Sequence, residues 1–439
     1  MKTPGPDGLI SFDPSQQPLE IVGQLLSQYG DVVRYQTRFG PCFLFVHPEH
    51  VHEVFHRRSI QRSSLVKLIL GEGLLASDGA FWKSQRHAMQ RHFLPQRVSP
   101  FESTMAAQIE GTEAQWQEAA RNGKPVDVAV SMTQLTLRMV VQTLFSHELE
   151  PLQETALCEA VTRAVTELGR ISWTVFGVAT MLTPAGNADL NSARRTIDSF
   201  CYGLIAERRA IVPERRPSDL LTLLLEVSVE GQALTDQQLR DEMVTMLVGG
   251  HETSALALSW AWKLLGERHE VEIRLHREVD LIPHLDKTEG NVVAQCHWAR
   301  AVFQEALRLY PPVWSIARNA FEDEVIAGHA VPKGACVLVS AWFTHRHRDF
   351  WDDPELFDPT RFLDGARREP HQRAYFPFGG GRHTCLGMHF GLLEGTLILA
   401  KLARQFRVRP LPGQQIRPNP GITLRQSPGL MAYIEKRGA

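Results

Sequence analysis

Ten consecutive residues carry the strongest chemical signal in the chain: Phe378-Gly379-Gly380-Gly381-Arg382-His383-Thr384-Cys385-Leu386-Gly387. An ordinary buried cysteine needs no glycine on either side. Glycine is required where a backbone turns tightly or comes close to a large flat group. A cysteine in such a loop is placed to offer its thiolate to a haem iron. That ligand needs backbone N–H donors and shelter from bulk water, because the surroundings tune the metal. Gly387 would let the following backbone approach the macrocycle, and Phe378 would pack on the sulfur side. His383, two residues before the cysteine, would reach a propionate.

Three more patterns could serve the same chemistry. In Gly249-Gly250-His251-Glu252-Thr253, Gly249 and Thr253 are four apart and share a helical face. A helix passes close over a haem only where its side chains are small. The Thr253 hydroxyl can bond back to the Gly249 carbonyl and loosen the helix. His251 is read as packing or structural hydrogen bonding, not ligation. Trp82 and Arg86 are also four apart, and an indole N–H and a forked guanidinium both suit an anionic carboxylate. Glu305 and Arg308 meet at i and i+3, upstream of Pro311-Pro312 and of Phe357-Asp358-Pro359-Thr360-Arg361-Phe362. Taken singly, each has a plain alternative: a tight turn, a Gly-Gly kink, a helix residue pair, a surface ion pair worth under about 1 kcal/mol. Their joint occurrence outweighs those alternatives.

Phe378–Gly387 fits F-x-x-G-x-[RH]-x-C-x-G and resembles the haem loop of the cytochrome P450 family. The other motifs follow in that family's order over most of the chain. The resemblance implies haem b, with Cys385 as iron ligand and Phe378 and Gly387 beside the cofactor. It implies an O2 groove at Gly249, with Glu252 and Thr253 as the acid–alcohol pair that relays protons. Trp82, Arg86, His383 and Arg318 would hold propionates; the arginine usual two before the cysteine is His383 here. Glu305, Arg308 and Arg361 would form a structural triad that pins the stretch before the loop. The implied activity is a monooxygenase that inserts one atom of O2 into a lipophilic organic substrate. No flavin or iron–sulfur module follows Ala439, so the expected electron donor is a separate ferredoxin or flavodoxin-type partner with an NAD(P)H-dependent reductase.

The substrate pocket is expected around Ser64–Leu75, Met246, Gly250, Val313, Trp314, Ile316 and the turn near Ser427, under a roof spanning Ala160–Met181. Pro184, Gly186 and Asn187 add a weaker likeness. The wording of Gly73–Phe93 and Pro311–Arg318 resembles members acting on fatty acids, terpenoids or other lipophilic metabolites. Oxidative coupling, desaturation or rearrangement by the same haem-thiolate fold stays open, as does a non-catalytic haem sensor. A peroxide-driven enzyme is disfavoured, because the acid–alcohol pair is present.

The elements that must position these residues read as mainly α with small β-sheets, an α+β chain with the haem between a long central helix and the cysteine loop. Pro18–Tyr29 and Pro48–His56 read as helices. Val32–Phe39 and Cys42–Val46 read as a hairpin turning at Gly40-Pro41. Helical pattern dominates from Phe81 to about Leu265. Thr235-Asp236-Gln237-Gln238 is capping-box-like and opens a central helix that is apolar on most sides and therefore buried. Short strands lie between Val325 and Trp342, a helix over Leu386–Gln405, and a final strand pair around Ser427-Pro428-Gly429. One domain over 1–439 is expected, with a smaller β-rich part near the N-terminus.

Composition fits this picture. The 439 residues are 43% hydrophobic and 22% charged, with net charge -2, which gives no electrostatic case for nucleic acid or a membrane surface. Six scattered cysteines with no C-x-x-C suggest neither zinc nor a disulfide framework and fit a reducing compartment. No leader pattern opens the chain, and no run approaches a spanning helix. The expectation is a monomeric cytoplasmic protein without a membrane anchor.

Overall fold

The capping box at Thr235 forms. Its hydroxyl accepts the Gln238 N–H at 3.2 Å, and the Gln238 side chain accepts the Thr235 N–H at 2.9 Å. The central helix that follows runs over Asp236–Leu247, passes through one π turn at Val248–Glu252, and continues over Thr253–Glu267. Leu239, Met243, Leu247, Leu258 and Leu265 on it are buried, because other helices surround it. Val128–Phe145, His297–Leu309 and Met388–Gln405 all pack on its second half. The computed structural model describes residues 3–8, 18–37, 39–62, 67–175, 187–229, 232–283, 285, 292–363 and 372–438.

One of these helices corrects an expectation. Val128–Phe145 is long and apolar enough to cross a membrane by length and composition. It is instead a core helix, with Met132, Leu135, Val140, Val141 and Phe145 buried in the main hydrophobic cluster.

The larger sheet has five strands in the order Val32–Thr37, Gly40–Phe45, Cys336–Val339, Ile316–Ala320 and Ile60–Arg62. The β-rich part therefore draws on both the first and the last third of the chain. Gly40-Pro41 is not the turn of the first hairpin, since Gly40 already pairs with Thr37 and Pro41 with Gln36. Pro41 is tolerated there because pairing to the next strand starts only at Cys42. Near the C-terminus, Leu424–Ser427 pairs with Arg417–Pro420, whereas Met431–Lys436 pairs with Phe406–Pro410 and Val126–Asp127. The segment around Pro428 thus connects two sheets and does not close one hairpin; Gly429 passes against Asp127, where a Cβ would collide.

The irregular stretch before the cysteine loop is held by fully buried charge. Arg308 grips Glu305 through two bonds of 2.7 Å and spends its remaining N–H groups on the carbonyls of His345, Pro354 and Leu356. Arg361 lies 3.4 Å from the same carboxylate, and the Asp358 N–H bonds it at 3.0 Å. Buried charges need such complete pairing. His345 extends the network: one ring nitrogen contacts the Arg308 carbonyl at 3.2 Å, and the other accepts the Phe376 N–H at 2.9 Å. Burial pushes its pKa down to about 3, so the ring is neutral.

Candidate functional site

The loop after Phe376 is shaped by two glycines. Gly379 and Gly381 have φ of 70° and 62°, a region costly for other residues. A Cβ on Gly381 would also run into the backbone of Phe55 in the helix Pro48–His56. Beyond this turn the Cys385 N–H bonds the Phe378 carbonyl at 2.8 Å. Burial pushes the thiol pKa up, while the Gly387 N–H and the Arg86 guanidinium act in the opposite direction. The side chain is nonetheless accessible. Surrounded by protein yet accessible, the sulfur opens onto interior space and not onto bulk solvent.

The central helix has a matching feature. Gly249 is exposed although most of its helix is buried, and a Cβ there would meet nothing within 4 Å. The Thr253 hydroxyl donates to the Gly249 carbonyl at 2.7 Å, as the spacing implied. It does so across the π turn, a form of helix that often marks functional sites. Gly250, expected in the pocket wall, faces elsewhere: its Cβ would lie 2.9 Å from Val140, so it seats the neighbouring helix. His251 is buried and neutral, with its ring on the Leu247 carbonyl at 3.1 Å. Glu252 is buried and engaged: Arg425 pairs with it at 2.6 Å and the Thr423 hydroxyl donates to it at 3.0 Å.

Polar donors converge between the helix Gly79–Gln90, the cysteine loop and the strand Ile316–Ala320. The Trp82 ring packs on His383 with centroids 4.2 Å apart, and His383 lies 3.3 Å from Asp78. Arg86 donates to the Thr384 carbonyl at 2.8 Å. Arg318 bonds only the adjacent Ala317 carbonyl, at 3.0 Å, among the described residues. Burial lowers the pKa of both arginines, Arg318 to about 10. Neither forms an ion pair among the described residues. Asp78 acts on Arg318 only from beyond ion-pair range, and guanidiniums enclosed without a directly paired carboxylate call for an anionic partner. Two such groups beside Trp82 and His383 suit the paired propionates of a haem, so the donor set fits the group.

The outer pocket differs from expectation. Val313 is accessible, at 36%, and Met246 is mostly buried in the core. Trp314 is buried with Leu19 and Leu424, and its indole N–H bonds the Gly421 carbonyl at 2.9 Å. It tethers a hairpin and does not line a pocket. Ile316 packs toward Gly379 of the cysteine loop. Ser427 is exposed at the open end of the hairpin, opposite Arg417; the tip, Gly421–Thr423, is what reaches inward. There Gly169 of the helix Pro151–Val175 meets Gly421 and Ile422, with a would-be Cβ 3.2 Å from their backbone. Asn187 caps the helix Ala188–Ala210. Ser64, Met181, Pro184 and Gly186 lie outside the described residues.

Thr423, Arg425 and Asp78 are site residues that sequence reasoning missed. No local pattern marks them, because each acts through a partner distant in the chain.

A cysteine sulfur opening inward, a small-residue helix with a π turn, and enclosed cations between them define a haem-thiolate class of protein. The chain belongs to the cytochrome P450 family, whose model, described as Cytochrome P450, matches residues 8–432. Cyclooctatin synthase of Streptomyces melanosporofaciens is 32% identical, covering 92% of this chain and 88% of that protein. Cyclooctat-9-en-7-ol 5-monooxygenase of the same organism is 31% identical, covering 91% and 86%. The crystal structure of the cytochrome P450DA haem domain shares the fold at a TM-score of 0.85 and 23% identity, covering 96% of this chain and 93% of that one. The cofactor is therefore haem, and the enzyme is an oxidoreductase of monooxygenase type.

Proposed function

We propose that this chain hydroxylates or otherwise oxygenates a lipophilic cyclic hydrocarbon or its alcohol, of the terpenoid class, using electrons from a separate ferredoxin or flavodoxin-type protein. The observation that carries the site assignment is the accessible but enclosed Cys385 sulfur. When bound, the haem supplies dioxygen activation, helped by electron donation from a thiolate ligand. Cys385 is that ligand, and the Gly387 N–H and Arg86 stabilise its charge. Trp82, Arg86, Arg318 and His383 hold the propionates; Asp78 orients His383. Gly249 leaves room for O2. Thr253, fixed on the Gly249 carbonyl, holds a hydroxyl proton at that opening. Glu252 is the acid one residue away, its charge balanced by Arg425.

The substrate class is supported by the relative named for acting on cyclooctat-9-en-7-ol, an unsaturated alcohol. Accessible Val313 is consistent with it, although apolar lining is common to most pockets. The decisive test of the site is spectroscopic. Reduced protein with carbon monoxide is expected to show the red-shifted Soret band of thiolate ligation, and Cys385→Ala to lose it. An unchanged band in that variant would sink the assignment. For the substrate, cyclic terpenoid hydrocarbons and alcohols are expected to shift the haem spin state at lower concentration than fatty acids; the reverse ranking would overturn the class. Turnover with ferredoxin, its reductase and NAD(P)H, against turnover with peroxide alone, tests the electron source.

A further inference from the structure

The larger sheet brings together two cysteines that the sequence keeps far apart. Cys42 lies on the strand Gly40–Phe45 and Cys336 opens the strand Cys336–Val339; the two strands run parallel, with Cys42 directly opposite Cys336. Both side chains rise from the same face, where they pack in one cluster with Val33, Leu44 and Leu338. Neighbouring strands lie about 4.7–4.9 Å apart, and the Cα atoms of a disulfide lie about 4.4–6.8 Å apart. This rung therefore already has the spacing that a disulfide needs. It is also the first rung of the parallel ladder. Cys336 follows the exposed turn at residues 332–334 and is only half-buried, whereas Cys42 is buried.

Both are free thiols in the structure. Burial pushes the Cys42 pKa well up, and the neighbouring Cys336 thiol pushes it the same way. Tyr35, opposite Cys42 on its other side, acts in the opposite direction through its hydroxyl. Two other buried cysteines show what a purely structural thiol looks like. Cys158 donates to the Thr133 carbonyl at 3.9 Å, and Cys296 to the Val292 carbonyl at 3.4 Å. Each fills the core as a small apolar side chain with a main-chain partner. Packing accounts for those two. It does not account for a facing pair of thiols at the end of a ladder, one of them open to a small solute.

We propose that Cys42 and Cys336 form a reversible disulfide that clips the first hairpin to the strand beside Arg318. Hydrogen peroxide, the two-electron reduction product of O2, is the oxidant. The Cys336 thiolate attacks one peroxide oxygen; the O–O bond breaks, hydroxide leaves and takes up the thiol proton as water, and the sulfur becomes a sulfenic acid. The Cys42 sulfur then attacks the Cys336 sulfur. The S–O bond breaks, the S–S bond forms, and the oxygen leaves as a second water with the Cys42 proton. The thiols lose two electrons and peroxide gains them. A small dithiol reverses the reaction by exchange, in keeping with the transient disulfides of reducing compartments. Val337, the next residue, pairs with Arg318 and points to the other face. The clip thus joins the hairpin to the strand that supports Arg318 without placing sulfur beside it.

Peptide mapping of the holoenzyme tests this directly. Protein reduced with dithiothreitol and then freed of it is exposed to a small molar excess of hydrogen peroxide, alkylated and digested. A linked peptide pair carrying Cys42 and Cys336 is expected, and dithiothreitol is expected to abolish it. Cys42→Ser is expected to leave Cys336 as a sulfenic acid that dimedone traps. Cys336→Ser is expected to leave Cys42 unoxidised at the same dose. The linked enzyme is expected to unfold at a temperature higher by on the order of 5 °C, a shift absent from Cys42→Ser. Unreacted thiols at both positions, or oxidation of Cys336 without linkage to Cys42, overturns the proposal. A linked pair that leaves the unfolding temperature unchanged overturns the clip. Both readings are made on the native chain, so they decide the matter even if a serine variant fails to fold.

Discussion

The cysteine loop and the wall facing it are held in different ways. Behind the loop runs a continuous chain of polar contacts: Glu305, Arg308, the carbonyls of His345, Pro354 and Leu356, the His345 ring, then Phe376. The opposite wall depends on the tip of one hairpin, through Thr423 and Arg425 on Glu252 and through backbone contact with Gly169. The first arrangement fixes where a ligand atom sits. The second joins a hairpin tip to the central helix and to the helix Pro151–Val175, whose own position is set mainly by packing on the helix Ala188–Ala210.

The sharpest way to break the contrast is Arg308→Ala. It leaves Glu305 buried without its main partner, which costs about 3–5 kcal/mol. Denaturant unfolding is expected to show that loss, together with loss of bound haem; a change below about 1 kcal/mol would mean the network is not what holds the loop.

A smaller effect is expected from Glu242, which ties Leu74 and Gln85 to the central helix on the opposite wall. Its folded pKa, about 8, lies above the unfolded value of 4.5, and burial is the cause. The folded state therefore binds more protons than the unfolded state between those values, so stability falls as pH rises through that window. Glu242→Gln is expected to remove part of the fall, on the order of a few kcal/mol, in unfolding midpoints measured from pH 5 to pH 9, about the width of the window. A pH profile unchanged from that of the native enzyme would contradict this.

Two glycine substitutions then compare the walls at equal chemical change. Gly381→Ala faces both a positive φ and the Phe55 backbone, and is expected to destabilise by about 1–3 kcal/mol. Gly249→Ala meets open space inside a helix and is expected to stabilise by about 0.5–1 kcal/mol, while weakening carbon monoxide binding to reduced haem. Equal destabilisation by both would erase the distinction. Melting curves and ligand titrations on the same pair of variants decide it.

Much of this was legible from the chain itself. The glycine density around Cys385 marks the loop, because backbone needs are local. The capping box at Thr235 and the pairing of Glu305 with Arg308 are likewise set within four residues. The pocket wall was less legible. Trp314 and Gly250 were expected in it, yet one faces Gly421 and the other Val140, since sequence does not say toward which neighbour a side chain turns. Ser427 was expected inward because the hairpin's register was unknown. Its pairing with Arg417 places it at the open end. Arg425 gave no signal, because it is defined by its partner Glu252, far away in the chain.

The meeting of Gly169 with the Gly421–Ile422 backbone has a practical result. With no side chain between them, the roof helix and the hairpin rest backbone on backbone. The height of the roof is then set like a shim of zero thickness. Alanine at 169 would insert a first increment and a larger residue a second, prising the roof from the tip in steps. One position, distant in the chain from Cys385, thus sets the spacing between that helix and the hairpin tip whose Thr423 bonds Glu252.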